Sequence, residues 1–186
     1  DHYPDPSWFI HDRFGLFIHF GLFSIGARHE WFMTTEEISP ETYRDTYFDQ
    51  FDPDLFDAAA WAQAAKDCGV RYVVFTTKHH EGFALWDSQW TDYKVTNTPF
   101  KRDFLAELLP AFREVGIKIG LYHSLIDWYH PHFTIDGLHP QRSDLAARAA
   151  NSQREMGQYQ EFIAGSVDRT IDPVWHYRLS LVRLSI

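Results

Sequence analysis

Three short, strongly apolar runs separated by segments with helical periodicity constrain the fold of this chain more than any other feature. The runs cover residues 14–20, 71–78 and 117–124, and helices are predicted over residues 54–69 and after Asp103. Runs that are apolar on both faces suit parallel strands that are covered on both sides. The order strand, helix, strand, helix, strand therefore predicts an α/β fold with a parallel sheet and right-handed crossovers.

The two predicted helices carry start and stop signals. Asp54, with Asp57 three residues later, is a candidate N-cap for the first helix, and Asp103 is a candidate N-cap for the second. Gly69 and Gly116 stand where a helix usually ends in a left-handed residue. Each glycine is followed at once by an apolar run, which indicates a short connection from helix to strand.

The C-terminal quarter is less regular. Residues 142–166 are predicted to form one polar helix, and residues 171–177 are a candidate fourth strand, in which Pro173 would have to avoid the central ladder. We divide the chain into a partial (β/α) barrel over residues 1–164 and a divergent segment over residues 165–186. That segment is expected to be a fourth strand or an exchanged arm.

Charge and hydropathy exclude several classes of partner. The formal net charge of −9 argues against nucleic acid or an anionic membrane surface. No run of 18 apolar residues occurs, so no membrane-spanning helix is expected. Cys68 is the single cysteine, which excludes an internal disulfide, and it is expected in the core. A soluble chain is predicted, either cytoplasmic or secreted with its leader removed, and its localisation stays open.

Polar and aromatic residues stand at the end of each predicted strand. Chemistry in parallel sheets gathers at the carboxyl ends of the strands, which all lie at one edge. These ends and the loops after them supply His19, Glu30, Trp31, His79, His80, Glu81, Tyr122 and Asp127. We therefore expect these side chains to converge on one pocket.

The residue types in this set suit a sugar. Aromatic residues make up 17% of the chain, and a pyranose ring has an apolar C–H face that packs against an aromatic plane. Neutral imidazoles both donate to and accept from hydroxyl groups, and the carboxylate of Glu30 accepts from them. Trp31 would supply an apolar wall.

Several segments together resemble the α-L-fucosidases, the retaining glycoside hydrolases of family 29. The resemblance runs from about Trp8 to about Trp128. It implies a (β/α) TIM-type barrel that acts on fucose-containing glycosides without a cofactor or a metal. Two positions depart from the family pattern, since Glu81 stands where an Asp is usual and Phe20 where a Trp is usual. The segments that carry the resemblance are residues 13–21, 30–32, 51–53, 78–86, 102–103, 120–124 and 127–128.

The resemblance also implies roles for individual residues. The side chains that it assigns to holding the fucose ring are His19, Glu30, Trp31, His79, His80 and Tyr122.

The catalytic carboxylates of the family are not matched. Retaining hydrolysis needs a nucleophile and an acid/base whose carboxyl groups lie about 5–5.5 Å apart. The resemblance places the nucleophile where this chain has Tyr177, and the acid/base beyond residue 186. The candidate catalytic carboxylates are therefore Glu30, Glu81 and Asp127. We expect a truncated enzyme with weak hydrolysis of terminal α-L-fucosides; the alternative is a non-catalytic fucose-binding module or an inert oligomeric fragment.

The number of strands predicts self-association. A complete barrel has eight strands and about 250 residues, whereas three or four strands leave apolar edges uncovered. We expect a homo-oligomer that covers or completes the sheet. A metal-dependent hydrolase is a third alternative, prompted by the eleven histidines. His130 and His132 have the spacing of metal ligands, but their loop lacks paired carboxylates, so no metal site is predicted.

Overall fold

The computed structural model describes residues 5–170, and a parallel sheet of three strands stands at its centre. The strands are β1 (Gly15–Ile18), β2 (Tyr72–Lys78) and β3 (Lys118–His123), in the spatial order β1-β2-β3. Both pairings are parallel. The predicted α/β class with a parallel sheet is confirmed.

Eight α-helices lie in the described part of the chain, and three short 3₁₀ turns connect some of them. The helices are α1 (Ser7–Asp12), α2 (Phe23–Gly26), α3 (Phe32–Thr35), α4 (Pro40–Tyr47), α5 (Ala58–Asp67), α6 (Phe104–Glu114), α7 (Leu145–Ala149) and α8 (Met156–Thr170). The 3₁₀ turns are Phe48–Gln50, Val95–Asn97 and Ala150–Gln153.

Helices α5 and α6 pack on each other against one face of the sheet, around Phe104. The Phe104 ring lies 4.0 Å from Phe56, 5.0 Å from Phe20 and 5.5 Å from Phe75 of β2, measured between ring centroids. Stacked and tilted aromatic pairs at these separations add to the free energy of burial. This layer fixes the sheet against its helices and leaves the opposite face for the site.

The predicted helix ends are correct except at the start of α5. The Asp103 carboxylate accepts from the backbone N–H of Ala106 at 2.9 Å, as expected of an N-cap. Asp57, and not Asp54, caps α5, because a turn closed by the N–H of Phe56 and the carbonyl of Pro53 delays the helix.

Both helices end two residues before the predicted glycines, each of which follows the C-cap residue. Gly69 and Gly116 adopt φ of +85° and +80°, as their C-terminal positions require. The expectation that Cys68 is in the core is wrong: it is exposed, because α5 ends at Asp67 and Cys68 lies in the closing turn.

The single helix predicted over residues 142–166 is wrong, since the chain breaks between α7 and α8. The Asn151 side chain bonds both backbone groups of Ile135 at 2.9 Å, and Arg154 donates to the carbonyl of Phe133 at 2.6 Å. These side-chain bonds hold the segment to an earlier loop, and its backbone forms the 3₁₀ turn Ala150–Gln153 there. The predicted boundary between residues 164 and 165 falls inside α8, and the candidate fourth strand lies outside the described residues.

The second face of the sheet is packed at one end only. Residues paired across parallel strands point to the same side, so Gly15, Phe17, Tyr72 and Tyr122 share this face. The Tyr72 ring lies across Gly15, where a Cβ atom would stand 2.1 Å from it. Rings of α1 pack on Tyr72 and close the amino end of the strands, whereas Phe17 remains 47% exposed.

Candidate functional site

The site forms at the carboxyl ends of the strands, immediately after β2. A register shift between Thr76 and Lys78 marks the end of this strand, and His79 and His80 follow it. Both imidazoles are buried, 4% and 6% exposed. Although they are adjacent in sequence, the two rings lie together, with their centroids 4.2 Å apart.

His79 lies at the centre of the cluster. Its ring centroid is 4.2 Å from that of His80, 5.6 Å from His19 and 6.1 Å from Tyr122. The indole of Trp31 lies 6.4 Å away. The structure therefore brings together the five ring-bearing residues that the sequence analysis selected, from three strand ends and one loop.

An indole wall flanks His80. Trp31 lies 4.6 Å from the His80 ring and 5.6 Å from Trp128, and Trp128 lies 5.3 Å from His80. Trp128 was not selected as a binding residue, although its place after the third strand was the signal that could have found it. Phe17, stacked on His19 at 4.6 Å, was missed because it lies within a strand and not at its end.

Hydrogen bonds between distant segments hold Trp31 and Trp128 in place. Arg142 donates to the carbonyl and hydroxyl oxygens of Thr34 in α3 at 2.8 and 2.9 Å. His139, which is fully buried, bonds the carbonyl of Trp128 through Nε2 at 3.2 Å. The loop after β3 is thus fastened to α3, the helix that Trp31 precedes.

Ser124 fixes the proton of His80. The Ser124 hydroxyl donates to the carbonyl of Ile126 at 2.7 Å and lies 2.6 Å from Nδ1 of His80. Because that hydroxyl proton is already donated, Nδ1 carries the imidazole proton and Nε2 is left as an acceptor. Burial lowers the pKa of His80 to about 4, with Lys78 adding to the effect, so the ring is neutral at pH 7.

His79 and Glu81 form a second buried pair. Nδ1 of His79 lies 3.7 Å from Oε2 of Glu81. Burial lowers the pKa of His79 to about 2 and raises the pKa of Glu81 to about 8. At pH 7 the pair is therefore a neutral imidazole beside a protonated carboxyl group, and not an ion pair.

Glu30 and Asp127 differ in whether their carboxylate oxygens already have hydrogen-bond partners. Glu30 is half-buried and forms no hydrogen bond within residues 5–170, so its oxygens are open to a ligand. Its charge is a minor cause of the raised pKa of Glu81, after burial.

Both carboxylate oxygens of Asp127, by contrast, already have hydrogen-bond partners. One oxygen bonds Nζ of Lys78 at 3.0 Å, and the other accepts from the N–H groups of Tyr129 and His130 at 3.1 and 2.9 Å. Lys78 and Asp127 are both buried. This pair fastens the loop after β3 to the end of β2, and the arrangement fits a structural role better than a catalytic one.

Within residues 5–170, no three His, Cys, Asp or Glu side chains are grouped so as to hold a metal ion. Nδ1 of His130 accepts from the backbone N–H of His132, and Nδ1 of His132 accepts from that of Glu155. None of the helices in this part of the chain has the length and apolar character needed to cross a membrane.

The fold and the site define an α/β protein whose imidazoles, carboxyl groups and indoles converge at the carboxyl ends of parallel strands. The sequence profile described as Alpha-L-fucosidase matches residues 1–180. The chain belongs to the α-L-fucosidase family.

Individual relatives agree with this assignment. Tissue alpha-L-fucosidase of Homo sapiens is 37% identical over 153 residues, which are 73% of this chain and 33% of that protein. Alpha-L-fucosidase isoenzyme 1 from Paenibacillus thiaminolyticus is 45% identical, with a TM-score of 0.86 over 90% of this chain and 39% of that one. Alpha-L-fucosidase AlfC from Lactobacillus casei, in complex with alpha-L-fucose product, is 29% identical, with a TM-score of 0.73 over 88% and 56% of the chains.

The chain spans about a third of the length of the curated relatives that it matches. The profile match continues past Gly165, where the sequence analysis placed the start of divergence, to residue 180.

Proposed function

We propose that this chain binds the fucosyl group of terminal α-L-fucosides and, as a 186-residue polypeptide, hydrolyses them weakly. The observation that carries the proposal is the convergence of His19, Trp31, His79, His80 and Tyr122 on one spot in a member of this family. The relative from Lactobacillus casei that is in complex with alpha-L-fucose supports fucose as the ligand.

The polar groups of the site suit a ring that carries several hydroxyl groups. Nε2 of His80 is an acceptor, and the free oxygens of Glu30 accept as well. The half-buried hydroxyl of Tyr122 can donate or accept, and burial raises its pKa, so it stays protonated at neutral pH. A sugar hydroxyl can meet each of these groups with matching polarity.

The apolar groups suit the C–H face and the methyl group of a 6-deoxy sugar. Trp31 and Trp128 meet beside His80, and Phe17 stacks beside His19 on the exposed face of the sheet. An apolar surface on two sides of a polar centre favours a ligand with one hydroxyl-rich and one methyl-bearing side.

The carboxyl groups support only weak catalysis. Glu81 holds a proton at neutral pH and Glu30 has free oxygens, so these two are the candidates for acid and base, whereas Asp127 is bonded to Lys78 and has a structural role. The position at which the family resemblance expects a nucleophilic carboxylate carries Tyr177, outside the described residues. A low rate follows, since retaining hydrolysis depends on two placed carboxyl groups.

The three-stranded sheet is proposed to be part of an incomplete (β/α) barrel that a second copy of the chain covers or completes. Within residues 5–170, β1 and β3 are edge strands with one unpaired side each. Phe14, Leu16 and Phe17 at the β1 edge are 55%, 37% and 47% exposed. Unpaired edges that carry exposed apolar side chains favour association with like edges.

Hydrolysis of 4-nitrophenyl α-L-fucoside and calorimetry with fucose test the proposal together. We expect slow release of nitrophenol by the wild type, a loss in Glu30→Gln, and no change in Glu161→Gln, whose side chain is exposed on α8.

If the wild type releases nitrophenol no faster than Glu30→Gln does, the chain does not hydrolyse the fucoside. If it still binds fucose, it is a fucose-binding module. A chain that also fails to bind fucose, with its fold intact, would overturn the whole proposal.

A further inference from the structure

Two buried polar atoms face each other at the centre of the site without a hydrogen-bond partner among residues 5–170. They are Nδ1 of His79 and Oε2 of Glu81, 3.7 Å apart on side chains that are 4% and 2% exposed. A buried polar group left unpaired costs about 1–3 kcal/mol. A movement of less than about 1 Å would join the two atoms through one proton and remove both costs.

We propose that Glu81 is a positioning residue that decides which ring nitrogen of His79 carries the proton, and that ionisation of Glu81 switches His79 between its two tautomers. This inference rests on the proposed function, because Nε2 of His79 is the ring nitrogen left for a sugar hydroxyl. Within the described residues Nε2 makes no hydrogen bond, and the ring lies against His19 and Tyr122.

The proton balance of the switch is simple. With Glu81 protonated, its O–H donates to Nδ1 of His79, and the imidazole proton sits on Nε2, which is then a donor. With Glu81 ionised, one proton has left to solvent, the imidazole proton sits on Nδ1 and donates to the carboxylate, and Nε2 becomes an acceptor. His79 is neutral in both states.

The groups around His79 and Glu81 set the pH at which the switch occurs. Burial raises the pKa of Glu81 to about 8; Lys78 opposes the rise, and Asp127 and Glu30 add to it. Burial lowers the pKa of His79 to about 2, so protonation of the ring does not compete. The titratable groups that face the pair are Glu30, Tyr43, Lys78, Tyr93 and Asp127 around Glu81, and His19, Lys78, His80 and Tyr122 around His79.

Gly21 offers an independent way to disturb the carboxyl group. A Cβ atom at this position would stand 3.1 Å from Oε1 of Glu81 and 2.9 Å from the Phe23 ring. Gly21→Ala keeps the carboxyl group but crowds and further desolvates it, so the midpoint of the switch should rise.

Nitrogen NMR of the His79 imidazole, assigned with a His79→Asn chain, tests the proposal without substrate. At about pH 6 the Nε2–H form should exceed the other by about a hundredfold, since each pH unit below a midpoint of about 8 is a factor of ten. By about pH 10 the excess should be reversed.

In Glu81→Gln the amide N–H₂ donates to Nδ1 at every pH, so the Nε2–H form should persist throughout. Glu30→Gln is the matched control: it should keep the switch, at a slightly lower midpoint. One tautomer across the range in the wild type, or an unchanged switch in Glu81→Gln, would overturn the inference.

Calorimetry with fucose on the same samples separates the two proposals. If the tautomer switch is seen but fucose does not bind, only the proposed function is refuted. If fucose binds but no switch is seen, only this inference is refuted.

Discussion

At the scale of single residues, Gly82 and Gly69 share a backbone conformation but have different surroundings. Both have φ of +85°. A Cβ atom at Gly82 would stand 2.5 Å from Oδ1 of Asp127 and 2.9 Å from Cβ of Tyr129, whereas nothing lies within 4 Å of the same position at Gly69. The two glycines therefore separate backbone strain from steric conflict.

We expect Gly69→Ala to lower the free energy of unfolding by about 1 kcal/mol, through left-handed strain alone. Gly82→Ala should cost about 3 kcal/mol or more, because the methyl group also displaces a buried carboxylate from Lys78. Urea titration of both variants measures the difference. Equal losses would mean that the Asp127 loop yields at little cost.

Buried titratable groups make stability depend on pH in both directions. Burial lowers the pKa of His79 to about 2 and that of His80 and His139 to about 4, so their contribution is full above pH 6.5 and is lost as the pH falls. The pKa of Glu81 is raised from 4.5 to about 8, so its contribution is full below pH 4.5 and is lost as the pH rises to about 8.

The melting temperature should therefore be highest near pH 6.5, where the three imidazoles are neutral and Glu81 is still protonated. Between pH 6.5 and 8 we expect the wild type to lose up to about 1.4 kcal/mol per pH unit. Calorimetric melting of Glu81→Gln should show no such loss over this interval and a steeper acid limb, because Glu81 no longer offsets the imidazoles between pH 4.5 and 6.5. An identical alkaline slope in the variant would assign the loss to another group.

The sequence predicted which side chains meet but not how they are bonded. His19, His79 and Tyr122 could be placed together because strand ends of a parallel sheet share an edge. The Lys78–Asp127 pair could not be predicted, because it depends on the path of the loop after β3. The hydrogen bond from Nδ1 of His80 to the Ser124 hydroxyl, which sets the tautomer of His80, is equally invisible in a residue pattern.

At the scale of elements, the start of α6 also anchors the loop before it. One oxygen of Asp103 caps the N–H of Ala106, and the other accepts from the N–H of Asp87 at 2.9 Å. Asp57 caps α5 through the N–H of Ala60, also at 2.9 Å, and its side chain makes no bond to a distant segment of the described chain. The two caps differ by one tertiary hydrogen bond.

Asp103→Ala should lower the free energy of unfolding by about 2 kcal/mol, and Asp57→Ala by about 1 kcal/mol. Asp103→Asn keeps an acceptor oxygen for the cap and should recover about half of the loss. Guanidinium denaturation of the three variants checks this order. A larger loss in Asp57→Ala would show that the bond to Asp87 contributes nothing.

Elements could be predicted where local periodicity decides them. The three strands and the ends of α5 and α6 follow from apolar runs and glycine stops. The break between α7 and α8 does not, because it coincides with bonds from the side chains of Asn151 and Arg154 to carbonyl groups 16 and 21 residues earlier. Long-range side-chain bonds override local propensity there.

At the scale of the whole molecule, the sheet has an exposed edge beside the site. Leu16 in β1 is 37% exposed, and β1 has no strand on its outer side within residues 5–170. Leu55, which is 91% exposed in the loop before α5, carries the same side chain away from any strand edge. The two leucines allow one substitution to be compared at two places.

Leu16→Lys should weaken self-association of the 186-residue chain by more than about tenfold, because a charge on an edge strand opposes edge pairing. Leu55→Lys should leave association unchanged. Sedimentation equilibrium over a range of concentrations measures both. A wild type that stays monomeric at high concentration would exclude the second copy as the cover of this edge.

The ties that Arg142 and His139 make across the molecule bear on when the pocket comes into being during synthesis. The imidazoles of residues 19, 79 and 80 are all present once the first two strands have emerged. His139 and Arg142, whose hydrogen bonds hold the indole wall, are synthesised about sixty residues later, with the loop after β3. A nascent chain would thus hold its three imidazoles before Trp128 and the hydrogen bonds that fix the indole wall, so the site would be completed last.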